Sequence, residues 1–220
     1  MFHLKLELLG VKTGMMHISM RFIGITGGVG AGKSAILSYL AEKPKTKVML
    51  ADEIAHDLME PGTDCYNQIV ERFAGEDIHA ENGSFDRGKL AQVIFGNPAK
   101  REAMNAIVHP AVKEFVRQQY AFEVEKGELE LLVLEAALLI EEDYGEICDE
   151  LWYIYTSEAN RRKRLKESRG YSDEKIDNIF KSQLNEKEFR ESTQVTIDNN
   201  GDLEETYQQI EKALRRKADE

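Results

Sequence analysis

The residues best suited to chemistry lie in one glycine-rich segment near the start of the chain. Gly27, Gly32, Lys33 and Ser34 fit the pattern Gly-x-x-x-x-Gly-Lys-Ser/Thr. In that pattern loop amides surround an anion, the lysine reaches the β- and γ-phosphates, and the hydroxyl reaches Mg²⁺. Glycine is needed where the loop turns its N–H groups inward in dihedrals that a Cβ disfavours. The segment therefore predicts a nucleoside-triphosphate site. Its predicted nucleotide-binding residues are Gly28, Val29, Gly30, Ala31, Gly32, Lys33, Ser34 and Ala35.

The segments on either side of the loop support this interpretation. Residues 22–26 are a short apolar run typical of a buried strand, and Ile36, Leu37 and Leu40 follow the loop at helical spacing. Strand, loop and helix in this order form the context that the motif requires. A chance match in a glycine-rich turn would lack both neighbours.

Two acidic residues follow further predicted strands. Asp52 comes after the apolar residues 48–51, and Glu135 comes after residues 130–134. Because ligands bind at the carboxyl ends of parallel strands, Asp52 is a candidate base or Mg²⁺ anchor. Glu135 is a candidate for orienting Mg²⁺ and its water. The alternative for Asp52 is a helix cap, and His56, on the same helical face, is interpreted as a packing or surface histidine.

The stretch between the second and third strands, residues 61–127, is predicted to be a helical insertion that holds a second substrate over the phosphates. Asn97-Pro98 is typical of a helix start. His109-Pro110 predicts a break between two helices, because the residue before proline disfavours the α region. Candidate anion contacts in the insertion are Arg87, Lys89 and Arg101. The alternative for each is a solvated surface charge.

A basic helix follows the strand predicted at residues 151–155, with Ser157 as its cap. Its six cations are Arg161, Arg162, Lys163, Arg164, Lys166 and Arg169. In an acidic protein, at this place in a nucleotide-binding sheet, they predict an arginine-rich lid over about residues 157–185. Arginine suits that task because its planar fork binds phosphate oxygens bidentately. The alternative is an ordinary solvated face.

Composition sets the limits on partners. The formal net charge of −11 argues against a general nucleic-acid surface, and no apolar run approaches the ~20 residues of a membrane-spanning helix. Cys65 and Cys148 lack zinc-site spacing and indicate a reducing cytoplasm. We expect a monomer or weak homo-oligomer with one domain over residues 20–214, made of a core at 20–60 and 128–214 around the insertion. Residues 1–19 are expected to lie outside the fold, and residues 215–220 to form a tail.

The ordered motifs of this chain resemble the dephospho-CoA kinase family. The matching segments are residues 25–34, 51–56, 60–62, 85–90, 93–95, 105–110, 138–141 and 197–201. The resemblance covers about residues 20–214. Ala-Asp-Glu-Ile-Ala-His at 51–56 and Ile-Val-His-Pro at 107–110 are far more specific than the phosphate loop alone.

The resemblance implies an α/β fold: a three-layer P-loop kinase core with a parallel five-stranded sheet, a helical substrate-binding insertion and the arginine-rich lid. It implies ATP-dependent phosphorylation of the ribose 3′-hydroxyl of dephospho-CoA, with ATP and Mg²⁺ as cofactors. The catalytic residues it implies are Asp52 as the base, Lys33, Arg164 and Arg169. The implied substrate-binding residues are Asp52, His109, Arg87 and Lys89, and the implied metal residues are Ser34 and Glu135.

The chain departs from the family pattern at several positions. Glu135 stands where the family often has aspartate, Ala137 where it has proline, and Ile179 where it has arginine. Two other functions stay open at this point. One is another small-molecule P-loop kinase, of the nucleoside, gluconate or shikimate type. The other is a nucleotide-switch protein of the GTPase kind, which would carry an Asn-Lys-x-Asp motif that this sequence lacks.

Overall fold

The computed structural model describes residues 20–216. Its strands are β1 (Arg21–Thr26), β2 (Thr46–Leu50), β3 (Leu131–Glu135), β4 (Glu150–Tyr155) and β5 (Val195–Asp198). Its α-helices are α1 (Lys33–Ala41), α2 (Ala51–Leu58), α3 (Asp64–Arg72), α4 (Arg87–Phe95), α5 (Pro98–Lys126), α6 (Glu158–Arg169), α7 (Asp173–Lys181), α8 (Glu186–Ser192) and α9 (Leu203–Arg215). Within residues 20–216, none of these helices is long and apolar enough to cross a membrane.

All five strands form one parallel sheet in the order β2-β3-β1-β4-β5, which confirms the predicted fold class. The chain leaves β1 for the edge strand β2, returns to β3 beside β1, and then continues to β4 and β5 on the other side. The carboxyl ends of β1 and β3 therefore lie side by side, with Ile25 in register with Glu135. A ligand crevice is expected where the strand order changes direction in this way.

Helices cover both faces of the sheet, because alternate strand residues point to opposite sides. Phe22 and Leu132 belong to a hydrophobic cluster that includes α2, α3, α4 and α5. Ile23 and Val133 belong to a second cluster, which includes α1 and α9. The result is the predicted three-layer core.

The predicted break at His109-Pro110 is wrong. Helix α5 runs without interruption from Pro98 to Lys126, with Pro110 inside it. An internal proline costs a helix about 3 kcal/mol. Buried apolar residues at helical spacing on both sides of Pro110 offset that loss. The carbonyl of Ala106 loses its N–H partner, but Ala106 and Pro110 are both exposed, so water can bond to that carbonyl. The buried residues are Met104, Val108, Val112 and Val116.

The helical insertion does not build a separate core. Ile69 of α3, Leu90 of α4 and Val116 of α5 share one cluster with the sheet residues Phe22 and Leu132. Helix α5 is thus both the crossover that returns the chain to the sheet and the support for α3 and α4. This shared cluster places the insertion beside the carboxyl end of β2.

Several expected boundaries shift slightly. The second strand covers Thr46–Leu50 rather than residues 48–51, and Ala51 already begins α2. Helix α9 includes Arg215, so the predicted tail at 215–220 begins too early. The expected extension at residues 1–19 and the last part of that tail lie outside the described residues.

Candidate active site

The glycine-rich segment forms a loop between β1 and α1, as predicted. Gly30 and Gly32 have φ angles of +83° and +85°, a left-handed region that side chains with a Cβ rarely adopt. The first helical residue after the loop is Lys33, so the free N–H groups and positive end of α1 point at the loop. An anion placed there meets backbone donors and a positive helix end together.

Lys33 reaches back over this loop. Its Nζ donates a hydrogen bond to the carbonyl oxygen of Gly27 at 2.8 Å and lies 3.4 Å from Oε1 of Glu135. The side chains of Lys33 and Glu135 are only 16% and 17% exposed. The structure therefore brings together two predicted site residues that are about a hundred positions apart in the chain, because β3 lies beside β1.

The carboxyl of Glu135 has a raised pKa. Burial is the main cause, since it disfavours the charged form, and the neighbouring Asp52 carboxylate raises the pKa further. The charge and hydrogen bond of Lys33 act in the opposite direction. Asp52, Glu135 and Lys33 are thus one electrostatic unit at the carboxyl edge of the sheet.

Asp52 does not cap a helix. Helix α2 begins at Ala51 with Leu50 at the N-cap, and no side chain closes that end. Asp52 lies exposed in the first turn, where a negative charge is favourable. Because Leu50 is in register with Glu135, β2 delivers Asp52 beside the end of β3. Its carboxylate therefore does not serve as the helix cap that was the alternative for this residue.

The donors present suit Mg²⁺ bound together with phosphates. Mg²⁺ typically takes one or two carboxylates and completes its shell with waters and substrate phosphate oxygens. The exposed Ser34 hydroxyl side chain and the Glu135 carboxylate match that requirement. Between residues 20 and 216 no cluster of three or more His, Cys, Asp or Glu side chains forms a closed metal cage.

A largely apolar cavity of about 500 Å³ opens beside Asp52. Residues of α2, α4 and the segment before α4 line it, among them Asp52, His56, Phe85, Arg87, Ile94 and Phe95. The guanidinium Nη2 of Arg87 lies 2.7 Å from Nε2 of His56, so the two side chains face the same space. A cavity of about 570 Å³ between α1 and α9 is lined by none of the predicted site residues.

Two other predicted substrate contacts have protein partners. Lys89 donates to Asp77 Oδ1 at 2.7 Å and to the carbonyl of His79 at 3.2 Å. His109 Nδ1 lies 2.7 Å from Glu142 Oε1, which ties α5 to the segment after β3. Neither residue lines the cavity beside Asp52. Their substrate contacts stay predictions.

The two predicted lid arginines lie in different surroundings. Arg164 lies against the phosphate loop, with Nη2 donating to the carbonyl of Asn199 at 2.8 Å and Nη1 to that of Ala31 at 3.3 Å. Arg169, in the last turn of α6, is exposed and lies 5.9 Å from the ring centre of Tyr171. Their contacts with phosphate stay predictions.

Arg161 is predicted from the sequence only as one of the six lid cations and is not singled out there as a contact of the phosphate loop. It is only 8% exposed, and its Nε donates to the carbonyl of Val29 in the phosphate loop at 2.9 Å. One signal was available, because Arg161 lies four residues before Leu165, the buried leucine of the otherwise polar α6. Residues four apart share a helical face, so Arg161 belongs to the buried side.

Comparisons with known proteins agree with this geometry. A family model described as dephospho-CoA kinase matches residues 21–205. A dephospho-CoA kinase of Shouchella clausii is 36% identical over 198 residues, covering 90% of this chain and 99% of the relative. A solved Thermus thermophilus structure is similar at TM-score 0.70 and 26% identity, covering 89% of this chain and 97% of that one. A dephospho-CoA kinase structure from Campylobacter jejuni has TM-score 0.66 at 20% identity, covering 88% and 95%, and shows the shared fold.

Proposed function

The chain belongs to the dephospho-CoA kinase family, and we propose that it transfers the γ-phosphoryl group of ATP to the ribose 3′-hydroxyl of dephospho-CoA, giving coenzyme A and ADP. One observation carries the proposal beyond family membership. The phosphate loop, Lys33, Glu135 and Asp52 meet at one edge of the sheet, and an acceptor-sized cavity opens beside Asp52.

The nucleotide side of the reaction belongs to residues 28–35. Loop amides hold the phosphates, and Lys33 leaves the carbonyl of Gly27 to meet the β- and γ-phosphate oxygens. Ser34 and Glu135, the latter through water, would hold Mg²⁺. When bound, that ion neutralises negative charge on the transferred group. Phosphoryl transfer asks the protein mainly for such positioning and neutralisation.

The acceptor side belongs to the cavity. The apolar wall formed by Phe85, Ile94 and Phe95 suits the uncharged parts of a long acceptor, and Arg87 suits its phosphates. Asp52, exposed at the rim and close enough to raise the pKa of Glu135, accepts the proton of the 3′-hydroxyl as the oxygen attacks. His109 and Lys89 are proposed to contact the acceptor from the insertion.

The lid completes the site. Arg164 already lies beside Gly32 and needs only to exchange the carbonyls of Asn199 and Ala31 for phosphate oxygens. Arg169 would have to leave Tyr171, so its part in the proposal requires movement of the end of α6. Closing over the transferred group excludes water, which would otherwise hydrolyse ATP.

The partners that we propose are small molecules, and no nucleic acid or membrane takes part. We propose a monomer or weak homo-oligomer in the cytoplasm. The two cysteines of the chain, Cys65 and Cys148, are both buried and free, which agrees with a reducing compartment.

The test is a turnover assay with the purified protein. ATP and dephospho-CoA should yield coenzyme A and ADP in equal amounts, and a panel of adenosine, gluconate and shikimate should be phosphorylated far more slowly. Preferred use of a panel member would identify a different small-molecule kinase. Binding of GTP in preference to ATP, with no transfer to any acceptor, would identify a nucleotide switch.

A further inference from the structure

Arg161 joins the phosphate loop to the lid. Its guanidinium lies at the second residue of the loop, where a Cβ on Gly28 would come within 2.3 Å of Cζ. The guanidinium carbon also lies 4.3 Å from the ring centre of Phe180 in α7. Arg161 thus contacts both the phosphate loop and the lid.

The guanidinium has neutral partners. Within the part of the chain that the structure describes, no carboxylate oxygen lies within 4.0 Å of it, whereas Arg162 and Arg190 nearby both pair with acids. Burial lowers the pKa of Arg161, because a desolvated cation is disfavoured. The Glu158 charge opposes this shift, but none of the described acids lies at salt-bridge distance, so the cost of burying the guanidinium depends on its hydrogen bonds being satisfied.

The hydrogen bonds form a closed ring around one loop residue. Arg161 Nε donates to the carbonyl of Val29 at 2.9 Å, and Arg161 Nη2 donates to Oε1 of Gln183 at 2.6 Å. The same Oε1 accepts the backbone N–H of Val29 at 3.2 Å. Both polar groups of Val29 are therefore held by one arginine and one glutamine.

This ring couples two parts of the active site. Gln183 follows α7, so its bonds attach the lid to the loop, while Val29 lies between Gly28 and Gly30, where the backbone has little stiffness of its own. Fixing both peptide groups of Val29 sets the direction of the neighbouring loop amides. A planar guanidinium donates two hydrogen bonds in a fixed relative direction, which a lysine ammonium does not, so arginine suits position 161 better than lysine.

We propose that Arg161 is a positioning residue for phosphoryl transfer: with Gln183 it fixes the peptide groups of Val29 and so holds the phosphate loop in shape under the lid. The inference rests on the proposed function for its kinetic consequence. The ring itself is a property of the unliganded protein and is testable without any reaction.

The kinetic test compares Arg161→Lys and Gln183→Leu with Arg162→Lys as the matched control. Arg162 is the next residue of α6, and it pairs with Asp173 and Asp177 on the lid surface. Misplacing reacting groups by about 1 Å lowers rates on the order of 100-fold, so we expect kcat/KM for ATP to fall about 10- to 100-fold in both ring variants. The KM for dephospho-CoA should stay within about twofold of the wild type, because the ring does not touch the acceptor cavity. Arg162→Lys should behave as the wild type.

The second measurement is amide hydrogen exchange of the loop peptide without ligand. The wild type and Arg162→Lys should protect the Val29 amide, and both ring variants should exchange it faster. Wild-type kinetics in Arg161→Lys with unchanged exchange would overturn the proposal. So would a lower melting temperature with unchanged kinetics, since that result describes a purely structural residue. If the wild type failed to phosphorylate dephospho-CoA, the proposed function would fall, while the exchange data would still decide whether the ring exists.

Discussion

The substitution Gly28→Ala is compatible with the phosphate-loop motif but not with the packing around Gly28. The pattern Gly-x-x-x-x-Gly-Lys-Ser/Thr accepts any residue at position 28. The backbone of Gly28 is also outside the left-handed region, so an alanine adds no backbone strain there. The added Cβ would nevertheless lie 2.3 Å from Cζ and Nη2 of Arg161 and 2.6 Å from its Nη1. Gly28→Ala must therefore displace the guanidinium.

The size of the effect follows from the contacts that Arg161 loses. Hydrogen bonds to a charged group are worth about 1.5–3 kcal/mol each, and contact of a cation with an aromatic face about 0.5–2 kcal/mol. Rehydration of the released guanidinium offsets much of this. We expect the free energy of unfolding to fall by about 1–3 kcal/mol, within the usual range for single substitutions. We also expect kcat/KM for ATP to fall about tenfold or more, because the Val29 peptide is released.

A double-mutant cycle with Arg161→Ala gives the assay. Arg161→Ala empties the space that the new methyl group needs, so Gly28→Ala should be nearly harmless in that background. Urea unfolding and kcat/KM for ATP, measured for both single variants and the double variant, should give a coupling energy of about 0.5–3 kcal/mol. Additivity within about 0.3–0.5 kcal/mol would refute the reasoning, as would full activity of Gly28→Ala alone.

Three further predictions concern the site and the base of the sheet. Lys33→Ala should lower kcat by about 10²–10³-fold at saturating ATP, as expected for losing one preorganised charge contact; turnover within about threefold of the wild type would contradict the assignment. Asp52→Asn should lower kcat about 10²–10⁴-fold with little change in ATP affinity. Because the Asp52 charge raises the pKa of Glu135, this substitution should also shift the acid limb of the pH–rate profile of the residual activity to lower pH. An unshifted acid limb would show that ionisation of Glu135 does not cause it. Glu150→Ala should destabilise the fold by about 3–5 kcal/mol in urea unfolding, since it leaves Arg21 without its buried partner at 2.8 Å; the kcat of the folded variant should not change.

Local patterns in the sequence were sufficient for the elements of the fold. The apolar runs at β1, β3 and β4 predicted buried strands, and the structure has all three within a residue of their expected bounds. The caps at Asn97 and Ser157 also lie where the residue types indicated. Signals of this kind depend on neighbours within one or two turns, so no tertiary contact is needed to detect them.

Pro110 shows the limit of such local rules. The preference of the preceding residue for an extended conformation is real, but it is small beside the burial of four apolar side chains of α5 against the sheet and its helices. That burial depends on segments that are distant in sequence. Local sequence rules therefore predict a break at Pro110, whereas tertiary packing keeps α5 continuous.

Local motifs were sufficient to predict the family, the fold class, the phosphate loop and the two acids near the carboxyl ends of β2 and β3. Which cations of α6 face the loop depends on tertiary contacts. Six of them lie within nine residues, and composition cannot rank them. The choice depends on partners that the helix does not contain: Arg161 meets Val29 across a separation of 132 residues and Gln183 across 22. Hydrogen-bond acceptors and burial are properties of that assembled surface, which exists only when β1, α6 and α7 have come together.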